Sequence, residues 1–322
     1  MYRRNFIAGL TLGSPVLTAL AADEVWPSRP VTIVVGYPAG GLSDIVARLA
    51  ARHLENEFKQ PFIVENRAGA NSLVATQSVL KSSPDGYTLL MTQNALLTNT
   101  ILLPNPSYDG VRDFSPVARL YETSVVLAVP PSGISGFSDF VLKARQMPGG
   151  LSMGTVGHGS TSHYYGELLA RASGIKLNNV GYKGDTLMLP DLMAGRLDCG
   201  MISSGSAMTF GREGKVALVG VTGRRRWRVL PDVPTFSELG IQGLHADGFS
   251  GLFAPKGTPP SIVAKINDAV GELTRSQDFS KQLLSVGLEA PPPLSPDEFK
   301  ALVQSIHSEW IEIRKSSAIR LE

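Results

Sequence analysis

Apolar and polar positions along this chain alternate between two periods. Val31-Thr-Ile-Val-Val-Gly36 is a nearly unbroken β-branched run, the pattern of a buried strand. Residues 43–58 then repeat every three to four positions, with Ile45, Val46 and Leu49 on an apolar side and Arg48, Arg52 and Glu55 on a wet side, which predicts an amphipathic helix. The alternation continues with a strand at 62–65, a helix at 71–80, an Asp85-Gly86 turn and a strand at 87–92. It resumes with strands at 125–129, 151–155 and 178–181, helices at 137–146 and 161–172, and strands at 198–202 and 216–221. Strands alternating with helices predict an α/β fold with parallel sheets covered on both faces. The tail changes character. Residues 259–275 and 296–315 are long helical patterns with Pro near each start, joined through Pro291-Pro292-Pro293.

Two strand-to-helix loops are rich in glycine. The first, Gly36-Tyr-Pro-Ala-Gly-Gly-Leu-Ser-Asp44, offers Ser43 or Asp44 as a helix cap; the second, Gly154-Thr-Val-Gly-His-Gly-Ser-Thr-Ser-His163, offers Ser160 or Thr161. Ligands of open α/β sheets bind beyond the carboxyl ends of strands, and free amides at a helix start suit a carboxylate or phosphate. A tight turn with no ligand would use the same residues, so the weight lies in finding one such loop in each half. Neither is a nucleotide site. There is no Gly-Lys-Ser/Thr, and Gly157-His-Gly159 runs into Ser-Thr-Ser rather than completing G-x-G-x-x-G.

The 322 residues suffice for two domains, and 43% hydrophobic against 18% charged residues is a globular balance. The amino terminus modifies the picture. Arg3-Arg4, an apolar stretch from Phe6 to Leu20 broken by Gly9, Gly13 and Pro15, and the small-x-small Ala19-Leu20-Ala21 have the layout of a secretory signal peptide, over 1–21, cleaved near Ala21. The Arg-Arg pair is loosely like a twin-arginine signal, though a general secretory signal also begins with basic residues. Arg3 and Arg4 account for the whole formal charge of +2, so the mature chain is neutral, which argues against a nucleic-acid partner. The one cysteine, Cys199, excludes an internal disulfide and a Cys-rich metal site. Among His53, His158, His163, His245 and His307 there is no His-Glu-x-x-His motif, and no G-x-S-x-G elbow occurs, so neither a metal nor a catalytic set is expected. Ser160 near His158 and His163 is the one conceivable nucleophile with a base. Arg224-Arg225-Arg226-Trp227-Arg228 reads as a solvated loop face or a partner contact.

At these loops the chain resembles the Bug-type solute receptors of tripartite tricarboxylate transporters. The resemblance runs in order through Trp26-Pro-Ser-Arg-Pro, Gly40-Gly41 with Ser43-Asp44, Val64-Glu-Asn-Arg-Ala-Gly69, Pro84-Asp-Gly-Tyr-Thr-Leu-Leu90, Asp113-Phe-Ser-Pro-Val-Ala118, Leu151 to Ser160, Tyr182-Lys-Gly184, Leu230-Pro-Asp-Val-Pro-Thr235 and Leu252 to Pro259. It implies a periplasmic-binding-protein-like Venus flytrap, type II-like, with two doubly wound lobes and a ligand cleft between them. Lobe 1 is expected over 22–124 plus 233–322 and lobe 2 over 125–232. It further implies a periplasmic receptor without cofactor, monomeric when mature. Its two loops grip the carboxylate of a small metabolite, or a related amide, through backbone amides and water, for delivery to a two-component membrane permease. A ligand sensor for a signalling partner, or a hydrolase or lyase on the same scaffold, are the alternatives.

The expected ligand contacts are Tyr37, Ala39, Gly40, Gly41, Ser43 and Asp44 on the first loop, Thr92 and Asn94 at a strand end, Val156, Gly157 and Ser160 on the second loop, and Asp185 and Ser203 beyond it. The chain departs from the family pattern in three places. Gly36-Tyr37 stands for Pro-Phe, Gly184-Asp-Thr-Leu187 for a Gly-Gly-Ala-Pro-like stretch, and Met201-Ile-Ser-Ser204 for a strand end that often reads Phe-Asp. These changes fall where the variable end of a ligand would lie.

Overall fold

The computed structural model describes residues 26–102, 105–244 and 248–317, so the expected signal peptide lies outside the described residues. The first part of the chain runs β1 (Val31–Val35), α1 (Leu42–Phe58), β2 (Phe62–Asn66), α2 (Leu73–Leu80), β3 (Thr88–Gln93), α3 (Ala95–Leu102) and β4 (Phe114–Thr123). The middle runs β5 (Val125–Val129), α4 (Phe137–Gln146), β6 (Leu151–Thr155), α5 (Thr161–Ser173), β7 (Leu177–Gly181), α6 (Asp185–Met193), β8 (Cys199–Ser203), α7 (Ser204–Arg212) and β9 (Ala217–Val221). The last part holds β10 (Gly248–Pro255), α8 (Pro260–Arg275), α9 (Gln277–Ser285) and α10 (Pro296–Ser317). No described helix is long and apolar enough to cross a membrane.

The strands form two sheets of like design, β2-β1-β3-β10-β4 and β7-β6-β8-β5-β9. The expectation of purely parallel sheets needs correction. β10 runs antiparallel between β3 and β4, and β5 antiparallel between β8 and β9. The reason is the crossing. Only Ser124 separates β4 from β5, so the chain leaves the carboxyl edge of one sheet and enters the other from its carboxyl edge, against the local strand direction. The two sheets thus turn their carboxyl ends toward each other across a cleft, where open α/β sheets place ligands.

On the first sheet, α1 buries Val46, Ala47, Ala50, Ala51 and Leu54, small residues that let helix and sheet approach closely. Ile45, expected on the apolar side, is instead 36% exposed. The helix stops at Lys59, which takes a left-handed φ of 57° and returns its N–H to Glu55 O. On the second sheet, α5 starts at a Ser160 cap whose Oγ accepts from His163 N, as the sequence suggests, and ends at left-handed Gly174.

Three contacts tie the lobes together behind the cleft. α10 buries Phe299, Val303, Ile306 and Trp310, and the Trp310 ring packs on Tyr164 and Tyr165 of α5 at centroid distances of 5.0 and 5.4 Å. Ser204 Oγ donates to Gly287 O at 2.8 Å, and a Cβ placed on Gly287 would stand 2.5 Å from Gly205 Cα, so backbone meets backbone there. Lastly, Arg225 reaches Glu122 at 3.1 Å and Glu289 at 3.0 Å, while Arg224 reaches Glu309 at 3.0 Å. The arginine run is therefore an ionic seam rather than a free solvated face. Residues 233–244, assigned to lobe 1 from sequence, bond to the second sheet: Val221 N donates to Pro234 O, Phe236 N to Val221 O and Gly223 N to Leu244 O.

Candidate functional site

Where the two sheets face each other lies a cavity of about 140 Å³ with walls from both, room for a few waters or one small organic molecule. The crossing strands form its base: Thr123, Ser124 and Val125 on one pass, Thr222 opposite them, and Gly248 with Phe249 on the return. Val125 N donates to Thr222 Oγ1 at 3.0 Å, and Phe249 N to Asn94 Oδ1 at 3.1 Å. The latter bond fixes the Asn94 amide and leaves its Nδ2 as a donor.

Tyr37, Asn71, Gln93, Asn94 and Ala95 contribute the first lobe's wall. Burial pushes the Tyr37 hydroxyl up, with the neighbouring Tyr121 adding to the shift, so it stays a neutral hydrogen-bonding group. Gln93 Nε2 donates to Tyr121 at 2.7 Å and to Ser43 Oγ at 2.9 Å. Asn71 arrives through an unusual backbone. Ala70, Asn71 and Ser72 have successive φ values of 45°, 51° and 68°, a left-handed run that ordinary side chains disfavour. It holds Asn71 Nδ2 3.2 Å from Asn99 Oδ1 and Ser72 Oγ 3.0 Å from Thr92 Oγ1.

The opposite wall comes from Val156, Ser160, Thr161 and Ser162 at the start of α5, with Tyr165, Asp185, Met201, Ile202 and Ser203. Thr161 and Ser162 open a helix, where backbone N–H groups lack intrahelical partners and the dipole favours an anion. Ser203 caps α7, accepting from Ser206 N and donating to Asp185 Oδ2 at 2.6 Å.

Of the thirteen residues expected from sequence, the cavity brings together Tyr37, Asn94, Val156, Ser160, Asp185 and Ser203. Ala39, Gly40, Gly41, Ser43, Asp44, Thr92 and Gly157 stand outside its lining. Gly40 N donates to Asp44 Oδ2 at 2.9 Å and Gly41 N to Pro38 O at 3.2 Å, so both amides have acceptors within the loop. Burial pushes the Asp44 carboxyl up, but the Arg48 guanidinium and the Gly40 amide outweigh it and hold the group below its ordinary value. Asp44 shapes the loop, with Gly41 rather than Ser43 or Asp44 at the N-cap of α1. Sequence reasoning missed Asn71, Gln93, Tyr165 and the crossing residues. The junction at 124/125 was recognised as a lobe boundary, which was the available signal for Thr123 to Val125; nothing in Ala70-Asn-Ser72 announces a left-handed turn.

Ser160 Oγ donates to Gly157 O at 2.6 Å and lies 2.9 Å from Ser162 Oγ. His163 Nδ1 accepts from Gly159 N at 3.1 Å. That nitrogen is thus engaged with backbone, and among the described residues no bond joins Ser160 Oγ to either imidazole. Nor, among them, do three or more His, Cys, Asp or Glu side chains gather as metal ligands. Burial raises the Cys199 thiol strongly, as fits an inert core residue.

The sequence model described as "Tripartite tricarboxylate transporter family receptor" matches residues 46–317. A protein of Pseudomonas sp. strain P51, described as a UPF0065 protein in the tcbD-tcbE intergenic region, is 32% identical over 97% of this chain and 95% of its own. Rpa4515 of R. palustris, solved with adipate, superposes with a TM-score of 0.84 at 31% identity, covering 92% of this chain and 99% of its own. MatC of Rhodopseudomonas palustris, solved with malate, gives a TM-score of 0.81 at 33% identity over 89% and 99%. With two like sheets, a cleft between their carboxyl edges and a match along most of its length, the chain belongs to the tripartite tricarboxylate transporter receptor family of periplasmic solute-binding proteins.

Proposed function

We propose that this chain, exported and cleaved near Ala21, captures a solute bearing one carboxylate in the cleft and hands it, unchanged and as a monomer, to a two-component membrane permease. The observation that carries the reading is the cavity shared by both sheets at the strand crossing, with the first turn of α5 on one wall. Adipate in Rpa4515 and malate in MatC support a carboxylate ligand. The lobes are proposed as 26–124 with 248–317 and 125–244, the second extended to include the segment bonded to β9.

Tyr37, Asn94, Val156, Ser160, Asp185 and Ser203 form the proposed contact set, with Ala39, Gly40, Gly41, Ser43, Asp44, Thr92 and Gly157 supporting them. Among the described residues no Arg or Lys lines the cavity, and a second buried anion without a cation is costly. A monocarboxylate with a polar or aromatic remainder is therefore favoured over citrate. A thermal-shift screen of carboxylates and amides tests the reading. A true ligand at about 100 times its Kd adds about 2.7 kcal/mol of stability, and a screen without a hit overturns it. Chromatography of the hit after incubation should return it unchanged, whereas turnover would favour the hydrolase or lyase reading. Sequencing the protein recovered from the periplasm should begin near Ala22.

A further inference from the structure

Among the described residues, one in the cavity lining carries a formal charge, and it is acidic. Asp185 is the first residue of α6, and its Oδ2 accepts three hydrogen bonds: from Ser203 N at 2.9 Å, Ser203 Oγ at 2.6 Å and Ser206 Oγ at 2.7 Å. That set ties the starts of α6 and α7 together. It leaves Oδ1 unexplained. Oδ1 is buried, and among the described residues no group donates to it. The Ser124 hydroxyl is in the same condition, buried and with no partner among the described residues, and Ser124 too lines the cavity. The two belong to one patch. Val125 pairs with Ser203 across the β5–β8 ladder, and Ser204 N donates to Ser124 O at 3.1 Å.

A carboxylate that served only to brace the start of α7 would not need a second oxygen buried without a donor, because the oxygen of a neutral Asn could accept the same bonds. Buried acceptors lacking donors are rare in folded proteins. A wall with one charged acceptor, one unpartnered hydroxyl and, among the described residues, no cation to offset it is complementary to a donor that brings positive charge.

We infer that the solute is a zwitterion, with a carboxylate toward the opening turn of α5 and a protonated amine bonded to Asp185 Oδ1 and Ser124 Oγ. This rests on the solute-binding reading above and names the chemistry of the ligand's second end. The same wall works against a dicarboxylate, because its second anion would meet the Asp185 carboxylate where little water screens them. Selectivity for amine over acid is then an electrostatic rejection as much as an attraction.

Calorimetry on the mature protein tests this with matched probes. They are ω-amino acids from β-alanine to 5-aminopentanoate, dicarboxylates of equal length from succinate to adipate, and L-alanine and L-leucine as α-amino acids. At least one amino acid should bind more tightly than every dicarboxylate, by about tenfold or more, the size of a modest charge-assisted contact. Asp185→Asn, checked for an unaltered unfolding midpoint, should collapse that ratio by weakening the amino acid and strengthening the dicarboxylate. Ser124→Ala removes a hydroxyl that bonds nothing among the described residues and should weaken the amino acid several-fold, which keeps the idea testable if Asp185→Asn unfolds. A dicarboxylate that binds the unmodified protein as tightly as every amino acid overturns the inference and leaves the solute-binding reading standing. So does an amino-acid affinity untouched by either variant. If no probe of any series binds, the inference falls, and the receptor reading falls with it only when the broader carboxylate and amide screen also yields nothing.

Discussion

A methyl group at position 36 would stand 1.8 Å from Ser72 Oγ, so the strand end before the first loop admits only glycine. Gly36 also donates to Met91 O at 3.3 Å, a bond that the Pro usual in this family's pattern would forfeit. The departure from Pro-Phe is thus coupled to the Ser72 side chain. Gly36→Ala should cost about 1–3 kcal/mol by overpacking, read as a lower denaturant midpoint with unchanged slope, and Ser72→Gly should restore most of it. Asp198 is a second residue whose worth is calculable. It accepts from Ser152 N at 3.0 Å and Ser152 Oγ at 2.8 Å, joining the starts of β6 and β8. Burial pushes its carboxyl up, but the Ser152 bonds and Lys143 outweigh this and hold it below the ordinary 3.8. A carboxyl that is more acidic when folded stabilises fully above its unfolded value, and that share is lost as pH falls through the folded one. Asp198→Ala should cost about 1.5–3 kcal/mol near neutrality, and the deficit relative to the unmodified protein should shrink as unfolding is followed down below pH 4. Neither residue's role was readable beforehand. Asp198 looks like any strand-flanking acid, and the partner of Gly36 is 36 positions away.

Elements with a strong local signature were legible almost to the residue. Val125–Val129, Phe137–Gln146 and Leu151–Thr155 match the sequence-based bounds, because β-branched runs and amphipathic spacing act within a few residues. The strands and helices that went unseen, β4, β10, α3, α6, α7 and α9, share a different trait. β4 and β10 owe their form to pairing across more than a hundred residues, and α6 contains Pro190, which local rules read as a stop. Strand direction is equally non-local, which is why the inserted antiparallel strands could not be anticipated. The cavity was half legible for the same reason. Asp185 and Ser203 follow from strand ends, whereas Asn71 depends on the left-handed run after Gly69. That run makes a prediction of its own. Ala70 has no side-chain bond to justify a φ of 45°, and relief of left-handed strain of about 1–2 kcal/mol exceeds the entropy Gly would add to the unfolded chain, about 0.4–1 kcal/mol. Ala70→Gly should therefore raise the unfolding midpoint slightly, and a drop would show that the turn is held by more than its dihedrals.

Across the whole molecule, the two sheets are joined by the strand crossing, the Gly205–Gly287 approach, the α10 strap and the arginine seam. The seam is uneven. Arg225 is 55% exposed, yet Glu289 beneath it is 3% exposed and also accepts from Arg228 N at 2.6 Å. Solvent screening keeps the pair modest, about 1 kcal/mol, and that sum should appear in a double-mutant cycle of Arg225→Ala with Glu289→Gln and fade in high salt. Zero coupling would reduce the seam to surface decoration. The strap has a consequence of another kind. Of the three tryptophans, Trp310 lies 5.4 Å from the ring of Tyr165, which lines the cavity; Trp227 borders the neighbouring pocket beside Thr123, Ser124 and Thr222; and Trp26 packs remotely against Phe58 and Tyr87. An indole one aromatic layer behind a binding cavity turns occupancy into an optical signal. Exciting the protein near the red edge of the indole band should show emission that shifts as solute fills the cleft; Trp310→Phe should remove the share carried through Tyr165 while leaving the affinity in place, and Trp227→Phe measured alongside separates the second indole near the cleft. The receptor would then serve, unlabelled, as a sensor for its own cargo.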